Sequence, residues 1–85
     1  MTEITQIQDT VRDYIVRTRF GGASPEFFRD DFDLIESGSI DSLFMVGLIT
    51  YLEREFAVEF RMNDFVPKNF RSVDALSALV RTRMK

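Results

Sequence analysis

Residues 38–56 read Gly38-Ser39-Ile40-Asp41-Ser42-Leu43-Phe44-Met45-Val46-Gly47-Leu48-Ile49-Thr50-Tyr51-Leu52-Glu53-Arg54-Glu55-Phe56. Met45, Leu48, Ile49, Leu52 and Phe56 recur at helical spacing, which predicts a helix from Asp41-Ser42 to about residue 55 with one core-facing stripe. A second face carries Leu43, Val46, Gly47, Thr50 and Arg54. No charged residue falls between Asp41 and Glu53. An uncharged start to a helix in so small a protein leaves apolar surface that either another element covers or a partner does. Ser42, Asp41 and Ser39 can each cap this helix at its N-terminus.

Upstream, Ile4, Ile7, Val11, Tyr14 and Ile15 form another helical stripe, extended by Thr18. Helix one is expected over residues 3–19, with Thr2 as N-cap and Gly21-Gly22 as its stop. Residues 20–41 make a long connection. Ser24-Pro25-Glu26 there has the order of a cap, a first-turn Pro and a first-turn acid, so a short helical turn is expected over residues 25–29. Phe27, Phe28, Phe32, Leu34 and Ile35 can pin the connection to the core. Downstream, residues 57–60 alternate and should run extended without forming a sheet. A turn is expected near residues 63–65 and a brief helix from Pro67 through Phe70. A last helix should be capped by Ser72, with Val73, Leu76, Leu79, Val80 and Met84 inward. Arg81, Arg83 and Lys85 suit the negative end of its dipole. The expected fold is all-α. It is a small four-helix bundle of one domain over residues 1–85, with three longer helices, one short helix and a long loop between helices one and two.

Composition limits the chemistry. The 85 residues hold neither Cys nor His, so no thiol nucleophile, imidazole base or His–metal cluster is available. No catalytic or metal-binding residue is therefore assigned. The net charge is −3, which argues against nucleic-acid binding through clustered cations. That charge is unevenly spread. Residues 20–42 carry six carboxylates against Arg29 alone, whereas residues 43–85 are net basic. The acidic stretch fails as a calcium loop. Counted from Asp33, Phe44 falls where a ligand is required; counted from Asp31, Glu36 replaces the turn Gly. No apolar run approaches the roughly 20 residues that span a bilayer. The opening residues are polar and periodic, unlike a signal peptide, so a cytoplasmic protein without membrane contact is expected.

Gly38-Ser39-Ile40-Asp41-Ser42-Leu43, then Leu52-Glu53 with Phe56, and finally Phe70-Arg71-Ser72-Val73 stand in an order and spacing similar to those of the acyl and peptidyl carrier proteins. The resemblance spans nearly the whole chain. It implies that Ser42, flanked by Asp41 and Leu43, is the attachment point of 4′-phosphopantetheine taken from coenzyme A. It further implies that the arm's thiol carries an acyl or aminoacyl group as a thioester. A phosphopantetheinyl transferase, an acyl- or aminoacyl-loading ligase and downstream transferases or synthases would be the partners. They would meet the carrier, expected as a monomer, near Leu43, Phe44, Val46, Gly47, Thr50 and Arg54. Fatty-acid carriers usually read Leu-Gly-x-Asp-Ser-Leu and bear several acids along helix two. Here Gly38 lies three residues before Asp41 and that helix has no acid before Glu53. The pattern, with Pro67-Lys68-Asn69-Phe70, is closer to free-standing carriers of aminoacyl, peptidyl or other specialised groups. The physics of the position agrees, because a helix N-terminus favours an attached anion. Two readings compete: an unmodified helical interaction domain using helix two's apolar face, and a small enzyme using the acidic loop.

Overall fold

A computed structural model describes residues 3–84. Three α-helices carry the fold: α1 over Glu3–Arg19, α2 over Ser42–Phe56 and α3 over Val73–Arg83. Single turns of 3₁₀-helix at Met62–Asp64 and Pro67–Asn69 join α2 to α3. No strand occurs among the described residues, so the architecture is all-α. The short fourth element expected after Pro67 is one 3₁₀ turn. The Thr2 cap and Lys85 lie outside the described residues.

Each helix buries the stripe that its spacing marks. Ile7, Val11 and Ile15 of α1, Leu48 and Leu52 of α2, and Val73, Leu76, Leu79 and Val80 of α3 are buried together. Met45, Ile49 and Phe56 pack against that core from its edge. Thr18 is exposed, and its hydroxyl donates to the Tyr14 carbonyl at 2.6 Å. α1 packs chiefly on α3 and also meets α2. Gly21 ends α1 in the left-handed conformation, φ 69°. This lets the Gly22 N–H reach back to the Val16 carbonyl at 2.9 Å, a closure that favours Gly at the turning residue. The Ser72 hydroxyl caps α3 by accepting from the Ala75 N–H at 3.1 Å. The extended stretch expected over residues 57–60 does not begin at Ala57, which ends α2 in the left-handed conformation (φ 53°); residues 58–60 form no strand, with Val58 and Phe60 buried and Glu59 exposed.

The connection over residues 20–41 is ordered by tertiary contacts. Phe28, Leu34 and Ile40 are buried. Phe20, Phe27, Phe28 and Phe32 form an aromatic cluster with centroids 5.1–6.3 Å apart. The Arg12 guanidinium grips the Asp30 carboxylate with two bonds of 2.8 Å. The Asp30 carbonyl accepts from the Asp74 N–H at 2.9 Å, and the Leu34 N–H donates to the Arg71 carbonyl at 2.7 Å. The short turn expected over residues 25–29 is one hydrogen-bonded turn, closed by the Phe28 N–H on the Pro25 carbonyl at 3.1 Å. A separate turn joins Phe32 to Arg29.

Below α2, Asp64 is 5% exposed although it carries charge. Two nitrogens of the Arg83 guanidinium donate to its two carboxylate oxygens, and the Arg61 N–H donates to it at 2.8 Å. Arg83 first, and the Arg61 N–H second, lower the Asp64 carboxyl to about 2. The pair ties the first 3₁₀ turn to the end of α3.

Candidate functional site

The approach to α2 is a fixed turn. The Asp33 carboxylate accepts from the Ile35 and Glu36 N–H groups at 3.1 and 2.8 Å. The Ile40 N–H closes back on the Leu34 carbonyl at 3.2 Å. Gly38 passes through φ 77°, a conformation that suits Gly at this bend. The Ser37 hydroxyl donates to the Ser39 hydroxyl at 2.9 Å, so Ser39 is engaged within the turn.

Asp41 then caps α2. Its backbone is extended (φ −108°, ψ 179°) and its carboxylate accepts from the Phe44 N–H at 2.8 Å. The three capping candidates are thus resolved in favour of Asp41. Ser42 becomes the first residue of α2, is exposed, and its hydroxyl makes no hydrogen bond among the described residues. It stands at the positive end of the helix dipole, beside the N–H groups of the first turn. With no imidazole in the sequence, the chain offers this oxygen no His base. The arrangement suits a hydroxyl that accepts a substituent from another protein.

The proposed partner residues divide into two groups. Leu43 is 82% exposed and Val46 62%; Thr50 and Arg54 are exposed on the same side. Neither a helix nor the long loop covers this face. The Thr50 hydroxyl turns back onto the Val46 carbonyl at 2.9 Å. Phe44 and Gly47 adjoin α1 instead. The Phe44 ring is half-buried, 6.0 Å from the Tyr14 ring, with the Arg19 guanidinium 5.8 Å from its centroid. A Cβ at Gly47 would lie 3.3 Å from the Tyr14 hydroxyl, and Tyr14 stacks on Tyr51 at 4.5 Å. Leu43, Val46, Thr50 and Arg54 therefore form one open strip running from Ser42. Gly47 is where α1 comes close.

Outside the strip, Phe27 and Ile35 are exposed although expected to pin the long connection to the core, and two more exposed apolar groups escape a reading based on helical periodicity: Met62, 90% exposed, and Phe65, 47% exposed. Both belong to or adjoin the first 3₁₀ turn, which has no stripe to mark an outward position. Two grooves lie elsewhere. One, of about 530 Å³ between α1 and α2, is lined by residues including Asp9, Arg12, Asp13, Tyr51 and Glu55. The other, of about 570 Å³, runs from Ala57–Arg61 to Thr82–Met84. Neither is lined by Ser42. Among the described residues, no group of three or more acids could hold a metal ion, and no helix is long and apolar enough to cross a membrane.

No family model matches the chain, and no curated protein matches it. A solved chain described as "Crystal structure of FAD-dependent dehydrogenase" is similar, with a TM-score of 0.71 and 28% sequence identity. The match covers 81% of this chain and 96% of the other.

Proposed function

We propose that this chain is a discrete acyl, aminoacyl or peptidyl carrier protein. It would receive 4′-phosphopantetheine on Ser42 and serve a specialised pathway as a cytoplasmic, monomeric partner of enzymes rather than as an enzyme. The observation that carries the reading is the exposed Ser42 hydroxyl, left without a hydrogen bond at the start of α2 because Asp41 takes the capping role. The site fits the group: its phosphodiester would lie where the first-turn N–H groups and the helix dipole favour an anion. The attached arm would supply a thiol, for which this chain has no residue of its own. Asp41 holds the first turn in place, and Leu43 and Val46 offer apolar contact to an approaching enzyme.

The structural neighbour adds a candidate class of partner. Four-fifths of this chain spans nearly all of the neighbour, so the matched chain has roughly 70 residues. That is far below the size of a two-halved dinucleotide-binding domain. A small helical chain in a structure described for such an enzyme makes FAD-dependent dehydrogenases a class to test, alongside the transferase and the loading ligase.

The decisive measurement is intact mass after incubation with coenzyme A and a broad-specificity phosphopantetheinyl transferase. The wild type should gain one phosphopantetheine, and Ser42→Ala should gain none. No gain on the wild type, or an equal gain on Ser42→Ala, refutes the carrier reading. The unmodified interaction domain, favoured by the uncovered strip on α2, would then stand in its place.

A further inference from the structure

The open strip on α2 carries a sign of charge as well as apolar groups. In a chain of net charge −3, acids would be the expected surface residues beside Ser42. The α2 carboxylates are instead directed elsewhere. Glu53 accepts from the Phe60 N–H at 3.0 Å, and Glu55 lines the groove shared with α1. Asp41 alone stands exposed beside Ser42, held at the helix end as its cap. The arginines divide in the opposite sense. Arg12, Arg17, Arg71 and Arg83 each face a carboxylate. Arg54, at the far end of the strip, has no ion pair among the described residues. Arg19 also has none there; its guanidinium lies over Phe44, on the α1 side of the strip. A guanidinium over an aromatic face retains its full charge. Leu43 and Val46 therefore lie on a face whose far end carries Arg54 and whose α1 border carries Arg19, neither of them in an ion pair among the described residues.

From this we infer that the enzyme surface docking on α2 is an apolar recess bordered by carboxylates. Apolar contact at Leu43 and Val46 would supply most of the affinity, because rim charges act mainly on encounter rate and choice of partner. Arg19 and Arg54 would set orientation from the α1 border and the far end, and basic surfaces would be rejected by like-charge contact. The inference rests on the carrier reading for its partner, an enzyme visiting Ser42, and it defines that partner's chemistry.

The test uses the full chain in a ¹⁵N NMR titration with two synthetic amphipathic helical peptides of equal length, one Leu/Glu and one Leu/Lys. The Leu/Glu peptide should shift the amides of Leu43, Val46, Thr50 and Arg54. At low salt it should bind about tenfold or more tightly than the Leu/Lys peptide, and the gap should shrink near 0.5 M salt. Arg54→Glu should reduce the preference, and Arg19→Glu combined with Arg54→Glu should reverse it, with the remaining amide spectrum unchanged. Leu43→Ala should weaken binding without altering the preference. Equal binding of the two peptides, preference for Leu/Lys, or no binding at the strip overturns the inference. Modification of Ser42 is read separately by mass. A chain that is modified but shows no preference for acid refutes the partner's chemistry alone, whereas an unmodified chain refutes the carrier reading.

Discussion

Gly47 is the most informative single position to change, because two effects of comparable size oppose each other there. Glycine inside a helix costs roughly 1 kcal/mol relative to alanine, through the backbone freedom it loses on folding. Gly47→Ala would recover that amount. Against it stands the Tyr14 hydroxyl, 3.3 Å from where the new methyl carbon would lie, so the contact must open by a few tenths of an ångström. The obstructing atom is the tip of a long side chain. A rotation of about 3° at its base moves the tip that far, whereas a 30° departure from a rotamer costs roughly 1 kcal/mol. The Tyr14–Tyr51 stack, at 4.5 Å, can accommodate so small a sliding motion. The propensity gain should win. Gly47→Ala should be more stable by about 0.5–1 kcal/mol, raising Tm by on the order of 5 °C. Thermal and urea unfolding followed by circular dichroism measure this directly. A Tm that falls by a similar amount would refute the reasoning and show Tyr14 to be locked. The double variant Tyr14→Phe/Gly47→Ala locates the fault: if the hydroxyl is the obstacle, its removal should restore the gain.

Two other perturbations test the interior. The Ser77 hydroxyl is fully buried in α3 and has no hydrogen-bond partner among the described residues, so it loses its hydration for nothing in return. Ser77→Ala should stabilise the fold by about 1–2 kcal/mol, from that relief and the better helix propensity of Ala; an unchanged or lower urea midpoint contradicts it. Asp64, held at about 2 by Arg83 and the Arg61 N–H, favours the folded state while ionised. Its contribution is complete above the unfolded carboxylate pKa of about 4 and is lost as pH falls toward about 2. The urea midpoint of the wild type should therefore drop through that window, and Arg83→Met should be less stable at pH 7 and show a shallower drop. Parallel curves for the two proteins would remove Asp64 as the source.

How much of this was legible in the sequence depended on the range of the interaction concerned. The stripes Ile7–Val11–Ile15, Leu48–Leu52 and Val73–Leu76–Val80 are local periodicities, and each faces the core. The Ser72 cap is equally local: a hydroxyl three residues before the N–H that it accepts. The choice among Ser39, Asp41 and Ser42 was not legible. It turns on Ser39 being engaged by Ser37 and on the extended backbone that aims the Asp41 carboxylate at Phe44. The order in residues 20–41 was hidden for a stronger reason. It comes from Arg12–Asp30, Asp74–Asp30 and Leu34–Arg71, contacts between distant parts of the chain that no local pattern encodes.

The second face of α2 joins these two ranges. Periodicity alone separated Leu43, Val46 and Thr50 from the core stripe, but it could not say whether another element lies over them. The structure leaves that face open while placing α1 against its neighbour, the side of Phe44 and Gly47. Leu43 and Val46 are then large apolar groups whose contact with water persists after folding, so they contribute little of the area that drives folding. Replacing either with a polar helix former should leave the stability of the isolated chain nearly unchanged. A fold does not require apolar residues at positions where it gains nothing from them. Their presence one and four residues beyond an unpartnered serine hydroxyl is what an encounter with a second protein at Ser42 would use.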